Sequence, residues 1–419
     1  MQETDLIVGL DIGTTKIAAC AGRIHEGGIE IAAVSETPHS GARKGVITDV
    51  QETASAIAAT LETLEQTAGA PMSGGVVVGI GGGEVTTTES IAAVPVIQAA
   101  GGISDDDIAN ALEAAQAANL PANRTVLHCL PISFTTDHET NVRDPLGMES
   151  IRLEVSAQLI TASTLAIRNL ERAVEHAGVQ INDIVFNPLA AEKAVLTKRQ
   201  TESGVVLMDI GAATTDLAIF EEGHLVRAGV LPIGSQHLTN DIAIGLRTSL
   251  EVAEQLKREH GTALASLVKA SELIHLEEYS EDDRETIKRQ YLAEIIEARL
   301  NELFGLVTEE LKSLDRDQRL PAGVVLVGNG ARLDGLVDYV KATLKLPATV
   351  AKPRLELSTV IVDTADAPDY TTSVGLLLWG LEHGTAPSGG GSLPRPSLPS
   401  VDVNSVLNRA KDLFKQFLP

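Results

Sequence analysis

One pattern occurs twice and limits the folds open to this chain of 419 residues. The first copy, VGLDIGTTKIAAC, holds Asp11, Gly13, Thr14, Thr15 and Lys16. The second, VLMDIGAATTDLAIF, holds Asp209, Gly211, Ala212, Ala213, Thr214, Thr215 and Asp216. Each reads as an apolar strand, an Asp-Ile-Gly, a turn of small and hydroxyl residues, and a second strand. Such a turn lets backbone N–H groups approach an anion closely, and threonine hydroxyls add donors. An aspartate at the strand end does not bind phosphate directly. It can hold a hydrated Mg²⁺, an ion that keeps several waters and takes one or two carboxylates. Lys16 can reach a terminal phosphate as a point charge. A single copy could be an ordinary hairpin. Two copies, each opening an alternation of strands and helices, predict two similar α/β halves facing each other across a cleft.

Two further stretches extend the pattern. VLVGNGARLDGL places Gly328, Asn329, Gly330 and Ala331 between a strand and a helix, where glycine lets a flat ring or a ribose approach the backbone. Taken alone, it also reads as a simple turn. EVAEQLKREHG sets Glu254 and Lys257 one helical turn apart, a spacing that in isolation is commonly a surface ion pair.

The texture of the chain divides it. Residues 1–83 read as the core of the first half, completed by 164–200 and 360–384. Residues 84–163 read as an inserted subdomain whose helix SDDDIANALEAAQAAN has Ser104 as its N-cap. The second-half core is assigned to 201–244 and 321–359. Between them, 245–320 is charged and helical. There Leu292, Ile295, Ile296, Leu300, Leu303, Phe304, Val307, Leu311 and Leu314 keep one apolar stripe at helical spacing. Residues 385–400 form a Gly/Ser/Pro linker, and 401–419 an amphipathic helix.

Composition narrows the function. Hydrophobic residues make up 44% and charged residues 21%, the proportions of an ordinary globular protein. A net charge of -24 repels phosphate backbones, so no nucleic-acid partner is expected. Cys20 and Cys129 stand far apart and suggest neither a disulfide framework nor a zinc site, which fits a reducing cytoplasm. His128 beside Cys129 falls in a strand pattern, where the two point to opposite faces as packing residues. The acidic N-terminus lacks the basic region of a signal peptide. No apolar run of about 18 residues is present to span a bilayer. GIGGGE is not a GxGxxG fingerprint, and with no Gly-Lys pair there is no Walker A loop.

The tail asks for a different reading. Val403, Val406, Leu407, Ala410, Leu413, Phe414, Phe417 and Leu418 fall on one helical face, with Arg409, Lys411 and Lys415 elsewhere on the wheel. A helix of about 16 residues is roughly 24 Å long, and about 20 apolar residues are needed to cross a bilayer. It therefore reads as a helix lying in the membrane interface. Docking on its own core or on a partner protein are the other readings.

These residues resemble the superfamily of actin, the sugar kinases and the seventy-kilodalton heat-shock chaperones, in which each half carries an Asp-x-Gly phosphate loop. Within it the chain resembles the FtsA family of bacterial actin-like cell-division proteins over almost its whole length. VLHCLPISFTTD, RDPLGM and SIRLEVSAQLIT resemble the inserted subdomain of that family. YLAEIIEARLNELFGLVTEELK and TTSVGLLLWG resemble two of its helices, and the tethered terminal helix matches as well.

The resemblance implies an actin-like fold with ATP and Mg as cofactors. Its nucleotide set would be the residues above, Glu254, Lys257 and Gly328–Ala331 included, together with Gly234. Mg²⁺ would be held through water by Asp11 and Asp209. It also implies self-assembly into filaments and lipid contact through Val406, Leu407, Arg409, Lys411, Leu413, Phe414, Lys415, Phe417 and Leu418. The implied partners are other division proteins and the C-terminal peptide of the tubulin-like FtsZ. That peptide would dock on 245–320, with Arg289 and Arg299 as contacts, unless those arginines pair with neighbouring glutamates. The expected place is the inner face of the cell membrane at the division site. Catalytic relatives carry an acid before the proline of the first crossing helix; here Asn187 precedes Pro188. Asparagine is no general base, so at most weak ATPase activity is expected. A small-molecule kinase of the same fold, or another actin-like membrane scaffold such as PilM, are the competing functions.

Overall fold

The structure, a computed structural model, describes residues 6–25, 28–72, 74–97, 101–117, 120–280, 285–354, 358–360 and 365–383. The expected linker and terminal helix lie outside the described residues.

The first half opens with β1 (Ile7–Ile12), β2 (Lys16–His25) and β3 (Gly28–Pro38). A two-stranded hairpin of β4 (Ala42–Arg43) and β5 (Val46–Ile47) leads into α1 (Val50–Ala68) and β6 (Val76–Ile80). An insert follows, made of β7 (Val85–Pro95), α2 (Asp105–Gln116), β8 (Arg124–Thr135) and β9 (Arg152–Ser163). The first half resumes with α3 (Thr164–His176), β10 (Ile181–Phe186), α4 (Asn187–Val195) and α5 (Lys198–Ser203). The second half begins with β11 (Val205–Ile210), β12 (Thr215–Glu221), β13 (His224–Leu231), α6 (Ser235–Leu246) and α7 (Leu250–His260). A small hairpin, β14 (Leu273–His275) and β15 (Thr286–Lys288), precedes α8 (Arg289–Ser313). Then come β16 (Gly323–Val327), α9 (Leu336–Leu344) and β17 (Ala348–Val350), and last β18 (Ser358–Val360) and α10 (Thr371–Glu382).

The two large sheets repeat one plan. In the first, the antiparallel run β3-β2-β1 continues in parallel through β6 and β10, with β18 added beside β3. In the second, the antiparallel run β13-β12-β11 continues in parallel through β16 and β17. The insert is a separate antiparallel sheet in the order β7-β9-β8, with α2 packed on it.

Local chemistry fixes the helix ends. Asp49 caps α1 by accepting from the N–H groups of Gln51 and Glu52, and Gly69 ends it in the left-handed region. Ser104 and Asp107 form a reciprocal capping box at the start of α2, as the sequence predicts for Ser104. The α8 stripe is buried from Leu292 to Leu311, and Ile295 and Leu314 pack at its margin.

Side-chain alternation along β11 divides the cores. Val206, Met208 and Ile210 enter the second-half core, while Val205 and Leu207 join the first-half core together with α4. The same alternation acts on β8. Cys129 lies in the insert's own core. His128 turns the other way, accepts the Phe186 N–H at 3.1 Å and meets the edge of Trp379. Both are buried, as the strand pattern implies.

Helix α10 packs into the first half, against α4 and β1, and sends Thr372 to Asp209 of the second. Every residue from Thr371 to Gly380 is buried. A Cβ on Gly9 of β1 would stand 2.2 Å from the Ser373 carbonyl oxygen, and one on Gly375 would stand 1.9 Å from that of Ala190 on α4. Both glycines are thus required for backbone-to-backbone approach.

Candidate functional site

The repeated motif is repeated in three dimensions. Gly13 N–H donates to the Lys16 carbonyl at 3.0 Å, and Gly211 N–H donates to the Thr214 carbonyl at 3.0 Å. Asp11 pairs across its hairpin with Ala18, and Asp209 with Asp216. The second loop therefore has Thr214 in the place of Lys16, and an acid, Asp216, in the place of Ala18. The backbone N–H groups of Thr14, Thr15, Ala212 and Ala213 have no hydrogen-bond partner among the described residues. Unpaired loop N–H groups of this kind form an anion-binding concavity.

Both loops open onto one cavity of about 530 Å³. Asp11, Gly13, Thr14, Thr15 and Lys16 line it from the first half; Asp209, Gly211, Ala212, Glu254, Lys257, Gly328 and Asn329 line it from the second. An adjoining cavity of about 570 Å³ shares Glu254, Lys257 and Asn329 and adds Gly330.

The remaining candidates stand around these cavities. Ala213 lines a third cavity behind the loop tips. Ala331 is buried and closes the Gly328 turn. Thr215 is fully buried, and its hydroxyl donates to the Ile233 carbonyl at 2.8 Å, away from the cleft. Gly234 lets α6 close on the second loop: Ser235 and Gln236 N–H groups donate to the Gly211 and Ala212 carbonyls at 2.9 and 2.7 Å, and a Cβ on Gly234 would meet the latter oxygen at 2.6 Å. Gly328 sits at φ 82°, where a Cβ would come within 2.2 Å of Asp209 Oδ1.

Three carboxylates crowd the floor. Burial raises Asp11 to about 7, with the nearby Asp209 charge adding and Lys16 opposing. Burial also raises Asp209, against the Thr372 hydroxyl that donates to it at 2.9 Å. Asp216 lies beneath the loop and is raised well above its ordinary value, first by burial and then by Asp209. Asp216 Oδ1 and Asn187 Oδ1 are both buried without a hydrogen-bond partner. Gly81 separates the two side chains, for a Cβ there would lie 2.4 Å from Asp216 Oδ2 and 2.8 Å from Asn187 Nδ2. Crowded acids and orphaned oxygens are the donor set that a hydrated cation satisfies. Among the described residues no three acidic, histidine or cysteine side chains form a direct ligand group.

The other polar groups are held by networks. Lys257 Nζ lies 2.6 Å from Glu254, 2.8 Å from the Thr239 hydroxyl and 3.3 Å from the Ser235 carbonyl. Burial lowers its pKa, opposed by Glu254. The Glu254–Lys257 pair is therefore part of the cleft wall. Lys16 Nζ sits 2.7 Å from Glu36 and 5.5 Å from the centre of the Tyr370 ring. Glu36, Thr239, Asp369 and Thr372 line the cavity and were not among the sequence candidates. Only Thr372 had a sequence signal, the helix TTSVGLLLWG.

Arg289 and Arg299 are both engaged within the chain. Arg289 pairs with Glu272 at 2.7 Å and donates to the His260 carbonyl at 2.9 Å. Arg299 grips Asp241 through two nitrogens at 2.6 and 2.9 Å and also pairs with Glu302.

Two sheets of one plan, opposed across a cleft that carries the same loop twice, define an actin-like fold. Solved structures agree. The PilM–PilN type IV pilus biogenesis complex matches with a TM-score of 0.63 and 19% identity over 90% of this chain and 98% of that one. MreB5 of Spiroplasma citri bound to ADP matches with a TM-score of 0.52 and 14% identity over 91% of this chain and 96% of that one. The family model for cell division protein FtsA matches residues 206–375, and that for the SHS2 domain inserted in FtsA matches 82–161. Cell division protein FtsA of Pseudomonas aeruginosa is 35% identical over 98% of each chain. That of Bacillus subtilis is 34% identical over 90% of this chain and 84% of its own length. The chain belongs to the FtsA family of actin-like cell-division proteins.

Proposed function

We propose that this chain binds Mg·ATP in the cleft, assembles with copies of itself, and tethers FtsZ to the inner face of the cell membrane at the division site. The observation that carries the reading is the pair of matching loops, one from each half, whose free N–H groups and aspartates open onto one cavity.

The residues present fit magnesium nucleotide. The N–H groups of Thr14, Thr15, Ala212 and Ala213, with Lys16, would take the phosphates. Asp11 and Asp209 would hold hydrated Mg²⁺, with Asn187 and Asp216 beneath; the ion supplies the positive charge that these carboxylates lack. Glu254, Lys257 and the turn from Gly328 to Ala331 would take the adenosine. The ADP in the MreB5 structure supports this choice of ligand. Two loops on different halves that share a ligand favour the closed arrangement of the halves, and that arrangement is the one proposed to polymerise. Asn187 stands at the head of α4 and offers hydrogen bonds but no base, so the cleft is built to hold nucleotide more than to hydrolyse it.

The FtsZ peptide, like other division proteins, belongs to the partner reading that family membership supports. On 245–320 its acidic groups would have to exchange with Glu272 at Arg289 and with Asp241 at Arg299. The tail supplies the membrane contact. The alignment with the Pseudomonas relative spans 413 of the 419 residues and so extends into the tail. Burying a large apolar side chain contributes at most about 1.5–3 kcal/mol, and ordering the helix subtracts from it, so one copy binds reversibly. Many copies on one polymer bind far more firmly.

With ATP on a lipid monolayer, electron microscopy is expected to show filaments, and persistent monomers would count against assembly. In liposome co-sedimentation, removing residues 401–419 is expected to lower binding at least tenfold. Undiminished binding would remove the tail from the account.

A further inference from the structure

Behind the tips of the two loops lies a third cavity of about 440 Å³. It shares Thr14, Thr15, Gln236 and Asn240 with the cleft, but none of Asp11, Lys16, Asp209 or Glu254. The cleft is rich in acids. This cavity has no Asp or Glu in its lining, although the chain carries a net charge of -24. It collects His39, Arg43, Lys44 and His237 instead. The side chains of Arg43 and Lys44 are exposed and have no partner among the described residues. His237 accepts the Gly234 N–H on Nδ1 at 3.1 Å, which leaves its Nε2 to donate.

The wall of the cavity is built, not draped. Lys44 holds a left-handed backbone at φ 51°, followed by Gly45 at φ 76°. A lysine in this region costs on the order of 1 kcal/mol where asparagine or glycine would sit more easily. The turn is pinned at both sides: Gly45 N–H donates to the Thr14 hydroxyl at 3.0 Å, and the Lys44 carbonyl accepts from Gly83 N–H at 3.2 Å. His39 is buried and braces the first loop from below, with Nδ1 3.2 Å from the Gly13 carbonyl and Nε2 3.0 Å from the Thr53 hydroxyl. Glu52, behind His39, is turned to that ring and to Ser40. Cationic side chains and an acid-free lining thus converge on a space next to, and separate from, the carboxylate floor.

We propose that this cavity is a binding site for a small tetrahedral oxyanion, inorganic phosphate, held by Arg43, Lys44 and His237 against the tips of the phosphate loops. The assignment deepens the nucleotide reading, since phosphate there would sit next to a nucleoside diphosphate in the cleft. The same chemistry could come from the terminal phosphoryl group of ATP, and the experiment separates the two sources.

The test titrates the full chain with inorganic phosphate, followed by thermal unfolding and by phosphorus NMR line width, against chloride at equal ionic strength. It is run without nucleotide and again with Mg·ADP. The expected result is a saturable response in both, weakened at least tenfold in R43E/K44E, while the affinity of that variant for Mg·ATP stays within about twofold of the parent. Should that variant fold poorly, R43Q/K44Q serves with the same expectation and a smaller loss. Absence of a saturable phosphate response, or an equal response in the variants, would overturn the site. A parallel loss of Mg·ATP affinity would also overturn it, by giving the cavity to the terminal phosphoryl group. If phosphate binds and no nucleotide does, the oxyanion site stands and the nucleotide reading fails.

Discussion

Gly375→Ala is expected to lower the unfolding temperature by several degrees, and Gly375→Val to leave little folded protein. The added Cβ would stand 1.9 Å from the Ala190 carbonyl oxygen and 2.3 Å from its carbon, both of them backbone atoms of α4. No side chain can turn aside to relieve that contact, so α4 and α10 must separate. On its other side α10 is held against β1 at Gly9. Overpacking of this kind costs about 1–3 kcal/mol when neighbours can yield and more when they cannot. The damage is not confined to stability, because α10 carries Thr372 to Asp209 and α4 carries Asn187 to the cleft floor. A thermal melt of purified Gly375→Ala that overlays the parent would show that the helices are not packed as described.

Asp11→Asn is expected to raise the melting temperature of the nucleotide-free protein by several degrees at pH 8, by clearly less at pH 5.5, and hardly at all near pH 4. Burial and the Asp209 charge hold the Asp11 carboxyl at about 7 in the fold, against 3.8 as its ordinary value. Between those values the folded chain binds more protons at this group than the unfolded chain does. The group's contribution to stability is therefore fully present only below about 3.8 and is lost progressively as pH rises from there through about 7. Asparagine removes the charge and with it the loss. Other groups also respond to pH, His224 among them, its pKa lowered by burial. The difference between variant and parent isolates Asp11. Mg·ATP should raise the parent's melting temperature most at pH 8, where the carboxylates are ionised and await a cation. A pH-independent difference between variant and parent would mean that Asp11 is not strained by its neighbours.

The loops were legible in the sequence because phosphate chemistry leaves a local signature: Asp-Ile-Gly, small residues and hydroxyls within eight positions. The Ser104 capping box and the α8 stripe were legible for the same reason, since each is written within a few helical turns. What the sequence did not disclose is contact across the fold. Thr372 meets Asp209 from 163 residues away, and Glu36 meets Lys16 through the pairing of β2 with β3. Thr215 and Asp216 follow the second loop directly and both are buried, but strand alternation parts them: Thr215 turns to the Ile233 carbonyl and Asp216 to the ground beside Gly81 and Asn187. Arg289 shows the limit from the other side. Its partner is not a glutamate on its own helix but Glu272, on the chain just before β14.

Calorimetric titration of the full chain with ATP asks whether the two loops form one magnesium-nucleotide clasp. With Mg²⁺, saturation at one nucleotide per chain is expected. Binding should weaken strongly when Mg²⁺ is chelated and in the variant that combines Asp11→Asn with Asp209→Asn. Failure to bind ATP, or equal binding in that variant with and without Mg²⁺, would contradict the clasp.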